Sequence, residues 1–151
     1  MKKLYTFIIC VFFFASLPAQ NAGDLDLSYG TDGISAQGFL FPNGISDISI
    51  LTDNTIVSGG YYHSTGDNLL SFRFNTDGSL APFNTATWFE HYFDDYENIT
   101  ATFALPDNKT ILAGWYGLAD KSYFVIQLTP DGFPDPTFGT DGVLTGDVDF
   151  I

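Results

Sequence analysis

The chain spells one short phrase twice. Gly-Phe-Pro-Asp-Pro-Thr-Phe-Gly-Thr-Asp-Gly runs from Gly132 to Gly142, and Gly-Asp-Leu-Asp-Leu-Ser-Tyr-Gly-Thr-Asp-Gly runs from Gly23 to Gly33. A third, degraded copy starts at Asp77-Gly78 and continues through Ser79, Leu80, Ala81, Pro82, Phe83 and Asn84, so the glycines that mark the copies stand at 23, 78 and 132, spaced by 55 and 54 residues. A fixed period of this length means an array of similar supersecondary units, each needing a neighbour to cover its apolar face.

Between the markers the pattern is strand and turn. Ile34 to Leu40 reads as a first strand, closed at Phe41-Pro42-Asn43-Gly44; Ile45 to Leu51 alternates apolar and polar; Thr55 to Tyr62 follows a tight Thr52-Asp53-Asn54 turn; and Leu69 to Asn75 sets Phe72 and Phe74 against Ser71, Arg73 and Asn75. Period-2 alternation predicts half-buried strands, and outside the first twenty residues nothing has the 3.6-residue period of a helix. The second unit repeats the first: Ile45 to Asn54 matches Ile99 to Asn108 at an offset of 54, Lys109 reads as an insertion, and Thr55 onward matches Thr110 onward at 55. Trp88 to Phe93 is expected to open the second unit, and Val143 a third that stops at Ile151. Pro106, Asp107 and Asn108 suit a tight hairpin, since proline presets φ and Asp and Asn tolerate left-handed backbone.

Four antiparallel strands in each period of about 55 residues is the blade of a β-propeller. The expected fold is therefore all-β, a partial propeller of two four-stranded blades plus the first strand of a third. The expected segments are a signal over 1–19, a linker and first marker over 20–33, blades over 34–87 and 88–142, and the start of a third over 143–151. Propellers close with about four to eight blades, so the chain is expected to be the N-terminal piece of a longer one or to close by self-association.

The stretch Leu-Pro-Asp-Asn-Lys-Thr-Ile-Leu-Ala-Gly (105–114), followed by Leu-Thr-Pro-Asp-Gly-Phe-Pro-Asp-Pro-Thr-Phe-Gly-Thr-Asp-Gly (128–142), resembles the delta-60 repeat family. The first unit departs from that pattern at Thr52, where the family has proline, and the middle marker departs where Trp88 stands near the final glycine. The resemblance implies secreted, propeller-like bacterial proteins of mostly undefined activity.

The N-terminus has Lys2 and Lys3, a nearly unbroken apolar run from Leu4 to Leu17, then Pro18-Ala19-Gln20. A basic head, an apolar middle and a small residue before the cut make a secretory signal peptide, with cleavage after Ala19. The 14-residue run falls short of the roughly 20 residues a membrane-spanning helix needs. Cys10, the one cysteine, would leave with the signal, so disulfides are not expected in the mature chain. Cleavage leaves Arg73, Lys109 and Lys121 against 18 acidic residues, a net charge of −15. Such a surface repels phosphate backbones and anionic membranes, so neither nucleic acid nor a membrane is an expected partner.

Candidate chemistry is sparse. Asp24, Asp26 and Asp32 could supply carboxylates to calcium, which takes six to eight oxygens; Asx turns account for the same residues without metal. His63 stands apart, and Glu90, His91, Asp94 and Asp95 form the one grouping with zinc-ligand chemistry, although neighbours on a strand point to opposite faces. Glycoside hydrolysis needs two carboxylates across a cleft. Glu90, Asp94, Asp95 and Glu97 supply the groups, and a solvated acidic loop over Asp94 to Glu97 is the simpler reading. Tyr61, Tyr62, Trp88, Trp115 and Tyr116 are the candidate ligand platform, because aromatic faces beside carboxylates suit sugars or peptides; packing of both blade faces, with these rings as core, is the simpler reading. The expected function is a secreted binding or scaffold module with an extracellular glycan or protein ligand. The alternative is a glycan-acting hydrolase or lyase whose carboxylates come from several blades.

Overall fold

The computed structural model describes residues 23–36, 43–63, 67–81, 88–91, 93, 96–118 and 122–147. The signal over 1–19 with Cys10, residues 37–42, Asp94, Asp95, Lys121 and the last four residues lie outside the described residues, as do the side chains of Trp88, Glu90 and His91.

Among the described residues nine strands build two antiparallel sheets. The first holds β1 (Asn43–Ile50), β2 (Ile56–His63) and β3 (Asp67–Phe74), with β4 (Leu80–Ala81) and β5 (Trp88–His91) lying end to end along the outer side of β3. The second holds β6 (Glu97–Ala104), β7 (Thr110–Tyr116), β8 (Ser122–Leu128) and β9 (Val143–Asp147), in that order. No helix occurs among the described residues. The described residues are all-β, and the two sheets, the first with β4 and β5 sharing its fourth position, are the blades of a partial β-propeller.

Three strand assignments differ from the sequence reading. Trp88–His91 closes the first sheet by pairing with β3, where it was expected to open the second. Val143–Asp147 likewise closes the second sheet on β8 and opens no third. Ile34 makes only an isolated bridge with Thr31, so no strand forms over 34–36. The first two share a cause: the marker falls between the third and fourth strands of a blade, so the strand after the second and third markers belongs to the sheet before it.

The repeat extends to backbone detail. The β1–β2 ladder is bulged between Ile45 and Asp47, and the β6–β7 ladder between Ile99 and Ala101, 54 positions on. Both hairpins have the same length: Leu51 N–H bonds to Thr55 O and Leu105 N–H to Lys109 O, while Asn54 and Asn108 take φ of 64° and 60°. Lys109 is therefore the counterpart of Thr55 and not an insertion. Thr52, in the place of Pro106, leaves the turn unchanged. The marker is a folded object too: Thr31 and Ile34 exchange backbone hydrogen bonds as Thr140 and Val143 do, with Asp32 and Asp141 at φ of 53° and 51°.

The two sheets pack face to face through one apolar cluster of Leu51, Val57 and Leu69 from the first with Ile99, Leu112, Phe124, Ile126 and Leu128 from the second. Polar groups fix the register of this contact. β6 is an edge strand, and its unpaired N–H groups at Thr102 and Ala104 donate to Asp47 Oδ2 (2.7 Å) and Ser49 Oγ (3.0 Å) across the interface. Gly59 makes the approach close, since a Cβ there would lie 2.4 Å from Thr102 Oγ1 and 2.5 Å from Ile99 Cγ2. Thr102 Oγ1 itself is buried without a hydrogen-bond partner. Thr102→Val keeps the shape and removes the stranded hydroxyl, so urea denaturation should show a gain of about 1 kcal/mol; a loss of stability would mean that the hydroxyl is bonded.

Candidate functional site

The aspartates that crowd the turns share one geometry. In Asp26/Ser28, Asp53/Thr55, Asp77/Ser79 and Asp135/Thr137 the aspartate Oδ1 accepts from both the N–H and the hydroxyl two residues on, with N–H contacts of 2.9–3.0 Å and hydroxyl contacts of 2.6–2.7 Å. This is the Asx turn, a local alternative to backbone pairing that only a short acceptor side chain can make. The hydroxyl bonds are the main reason that Asp26, Asp53 and Asp77 are held below the ordinary carboxylate range.

Asp135 is the extreme case. Although its side chain is almost completely covered, Lys109 Nζ lies 2.9 Å from Oδ2, Gln127 Nε2 donates at 2.7 Å, and Thr137 donates twice. The Lys109 ammonium, then Thr137 and Gln127, hold the Asp135 carboxyl far below the ordinary carboxylate pKa range, and Asp135 in turn raises Lys109. A carboxylate whose folded pKa is depressed contributes stability that is complete above the unfolded value near 3.9 and is lost as pH falls toward the folded one. The melting temperature should therefore drop below about pH 4, and Asp135→Asn should flatten that acid limb while leaving the neutral-to-alkaline part of the profile shallower only where Lys109 titrates. An unchanged acid limb in the variant would show that the Lys109–Asp135 pair does not form.

Between the turn ends of the two sheets lies an open cleft of about 520 Å³, lined by Asp53, Thr55, Arg73, Asn75, Ala81, Pro130, Asp131 and Phe133. Arg73 organises it. Its Nε donates to Thr55 Oγ1 (3.0 Å), its Nη2 meets Asp53 Oδ2 (2.6 Å), and its Nη1 donates to Pro130 O (2.6 Å), so one guanidinium ties the β2 and β3 ends of the first sheet to the outer turn of the second. A planar fork with several fixed donors can do this where a lysine could not. Phe133 projects from that turn, nearly half exposed, beside Asp131. The cleft thus offers fixed donors, two carboxylates from different sheets and one exposed aromatic ring.

The aromatic residues singled out in the sequence do not share one sheet face. Tyr61 and Tyr62 are successive on β2, and Trp115 and Tyr116 on β7, so each pair divides between opposite faces of its sheet. Tyr116 stacks on Phe93 with centroids 4.9 Å apart, and Phe93 stacks on Phe124 at 5.0 Å, which places Tyr116 at the margin of the core. The Tyr61 ring lies against Gly44, where a Cβ would approach it to 3.0 Å. Trp88 is in β5, paired with Phe72 of β3, and its side chain lies outside the described residues. Asp24, Asp26 and Asp32 sit in the first marker, with Asp26 engaged by Ser28; among the described residues no three His, Cys, Asp or Glu side chains gather as metal ligands would.

Glu97 corrects the expectation of a solvated acidic loop. It is fully buried, and its carboxylate accepts from Leu69 N–H of the first sheet (3.3 Å) and from Phe93 N–H of the connection between the sheets. A side chain that accepts from one backbone donor on each side is a clamp, and those bonds compensate the burial of its polar atoms. The residue that the sequence reading passed over is Arg73, which stood only as a polar alternate in a strand. Its signal was scarcity: with Lys109 and Lys121 it was one of three cations beyond the first twenty residues.

No curated protein and no solved structure gives a significant match to the chain. Residues 105–138, from the second hairpin through the outer turn that carries Pro130 and Phe133, match the model of a family described as a domain of unknown function (DUF5122) beta-propeller, a match that supports a propeller-like repeat family.

Proposed function

We propose that this is an exported repeat protein of the delta-60 kind, which acts in the extracellular space or at the bacterial cell surface as a binding or scaffold module, with the turn rim around Arg73 as its contact surface. The single observation that carries this reading is the state of the cleft. Asp53 has both carboxylate oxygens engaged, Oδ1 by Thr55 and Oδ2 by Arg73, whereas glycoside hydrolysis needs two carboxyl groups available across the cleft. Fixed donors and an exposed ring suit recognition of a polar ligand such as a glycan. The basic, apolar, small-residue order of the first twenty residues supports export.

The alternative, a glycan-acting hydrolase or lyase, draws support from Asp53 and Asp131 reaching one cleft from two sheets. A panel of soluble polysaccharides separates the two. The binding reading predicts retardation of the protein in gels containing one of them, weakened by Phe133→Ala, with no new reducing ends or unsaturated products. Product accumulating above the blank, and lost in Asp131→Asn, would contradict it.

A further inference from the structure

The two blades make the same turn after their third strand, and one exchange of side chains sets the turns apart. In the first sheet Asn75 N–H bonds to Ser79 O and Gly78 N–H to Asn75 O, while in the second Thr129 N–H bonds to Phe133 O and Gly132 N–H to Thr129 O. Gly78 and Gly132 hold φ of 80° and 83°, so the backbones coincide. The side chains do not. Ser79 gives its N–H and its hydroxyl to Asp77 Oδ1, which engages that carboxylate inside its own turn. Phe133 stands in the place of Ser79 with no hydroxyl to give, and its N–H goes to Thr129 Oγ1 instead. Asp131, the counterpart of Asp77, is thereby released: it is exposed and accepts no hydrogen bond among the described residues.

Both consequences of the exchange fall in one place. Asp131 and Phe133 line the cleft between the sheets together with Arg73 and Asn75 of the first. A lone exposed ring is ordinary, and so is an exposed aspartate. A turn that gives up its own carboxylate bond and sets a ring beside the freed oxygens, at a cleft that also holds a fixed guanidinium, has the makings of a ligand site.

Charge and hydrogen-bonding capacity narrow the ligand. A guanidinium has five N–H donors, and Thr55, Pro130 and Asp53 take three of those on Arg73, which leaves one on each terminal nitrogen. Asp131 adds two acceptor oxygens. A hydroxyl both donates and accepts, so it can use either kind of group. An ammonium group only donates and is repelled by the guanidinium, and an anion meets a free carboxylate on a chain of net charge −13. Building on the reading of this cleft as a recognition site, we propose that it takes a neutral sugar unit of a polysaccharide. Two adjacent ring hydroxyls donate to the Asp131 carboxylate, a further sugar oxygen accepts from the spare N–H groups of Arg73, and the flat C–H face of the sugar lies on the Phe133 ring.

Affinity electrophoresis of the full chain in starch, galactomannan and xyloglucan tests this, since all are neutral and soluble and their linkages leave adjacent ring hydroxyls free. Periodate cleaves the carbon–carbon bond between such hydroxyls, and borohydride then reduces the resulting aldehydes to alcohols, so the treated polymer stays neutral and loses the paired ring hydroxyls. At least one native polymer should retard the wild-type chain and its treated form should not. Polygalacturonate, which has the same hydroxyl pairs but is anionic, should not retard it either. Phe133→Ser rebuilds the turn of the first sheet, removing the ring and returning Asp131 to an Asx turn, so retardation should vanish while the melting temperature holds or rises. Asp131→Asn should weaken binding about tenfold or more, whereas Asp77→Asn, the same change in the other blade, should leave it unchanged. Retardation that survives periodate, or that polygalacturonate alone produces, would overturn the neutral-sugar assignment and leave the cleft a recognition site. A chain that no polymer retards, or retardation untouched by Phe133→Ser and Asp131→Asn, would overturn both; so would retention on oligolysine alone, lost in Asp131→Asn, in favour of a cationic ligand.

Discussion

Phe124→Ala should lower the stability of the chain by about 3–5 kcal/mol, enough to bring the melting temperature down by roughly 10–20 °C for a chain of this size. The residue lies in β8 of the second sheet and is all but completely buried among Leu112, Ile126 and Leu128 and the first-sheet residues Val57 and Leu69. Its ring stacks on Phe93, which stacks on Tyr116, so truncation removes the transfer energy of the ring and leaves Phe93 without one of its two partners. Little can collapse into the space. Gly114 is directly opposite Phe124 on β7, and its backbone is already pressed against Asn98. Urea denaturation of the purified variant measures the loss, and a change below about 1 kcal/mol would mean that the sheets do not share this core.

The second large effect is expected at two glycines related by the repeat. Gly60 and Gly114 lie opposite the bulges of the two sheets, 54 positions apart. A Cβ at Gly60 would lie 1.9 Å from Gly44 O, and one at Gly114 would lie 1.9 Å from Asn98 O and 2.7 Å from the Phe124 ring. A carbonyl in a ladder cannot rotate aside, so the added methyl must push the inner strand off its neighbour at the point where the bulge already bends it. Each alanine substitution should cost about 3 kcal/mol, with Gly114→Ala the worse of the two because it also displaces the Phe124 ring. Because both sites use the same device, two similar losses are expected; a large loss at one and none at the other would show that the bulge is not part of the repeated unit.

Much of this architecture was legible in the residues. Alternation along Ile45–Leu51 and Leu69–Asn75 located strands, and Asp53-Asn54 and Asp107-Asn108 located hairpins that the structure forms with left-handed asparagines. Alternation tells that a segment is a half-buried strand, but it does not name the strand beside it. Trp88–His91 was therefore given to the wrong sheet, since the choice between β3 and β6 as neighbour rests on long-range pairing.

Lys109 shows a second limit. Matching side chains by type set Val57 against Leu112, because both are apolar, yet hairpin geometry makes Ser58 the counterpart of Leu112 and Val57 that of Ile111. The two sheets have different neighbours on equivalent faces, so burial does not repeat where the backbone does. Glu97 and Arg73 were illegible for a related reason: their partners, Leu69 and Pro130, lie 28 and 57 positions away on the other sheet.

The account depends on the strand after the second and third markers completing the sheet before it. Cross-strand nuclear Overhauser contacts measured on the labelled chain test this directly. The account predicts contacts joining Phe72 to Trp88 and Ile126 to Val143, with Trp88 making no ladder to residues 97–104. A ladder between Trp88–His91 and Glu97–Ala104, or a Val143 segment without contacts to Ile126, would contradict it.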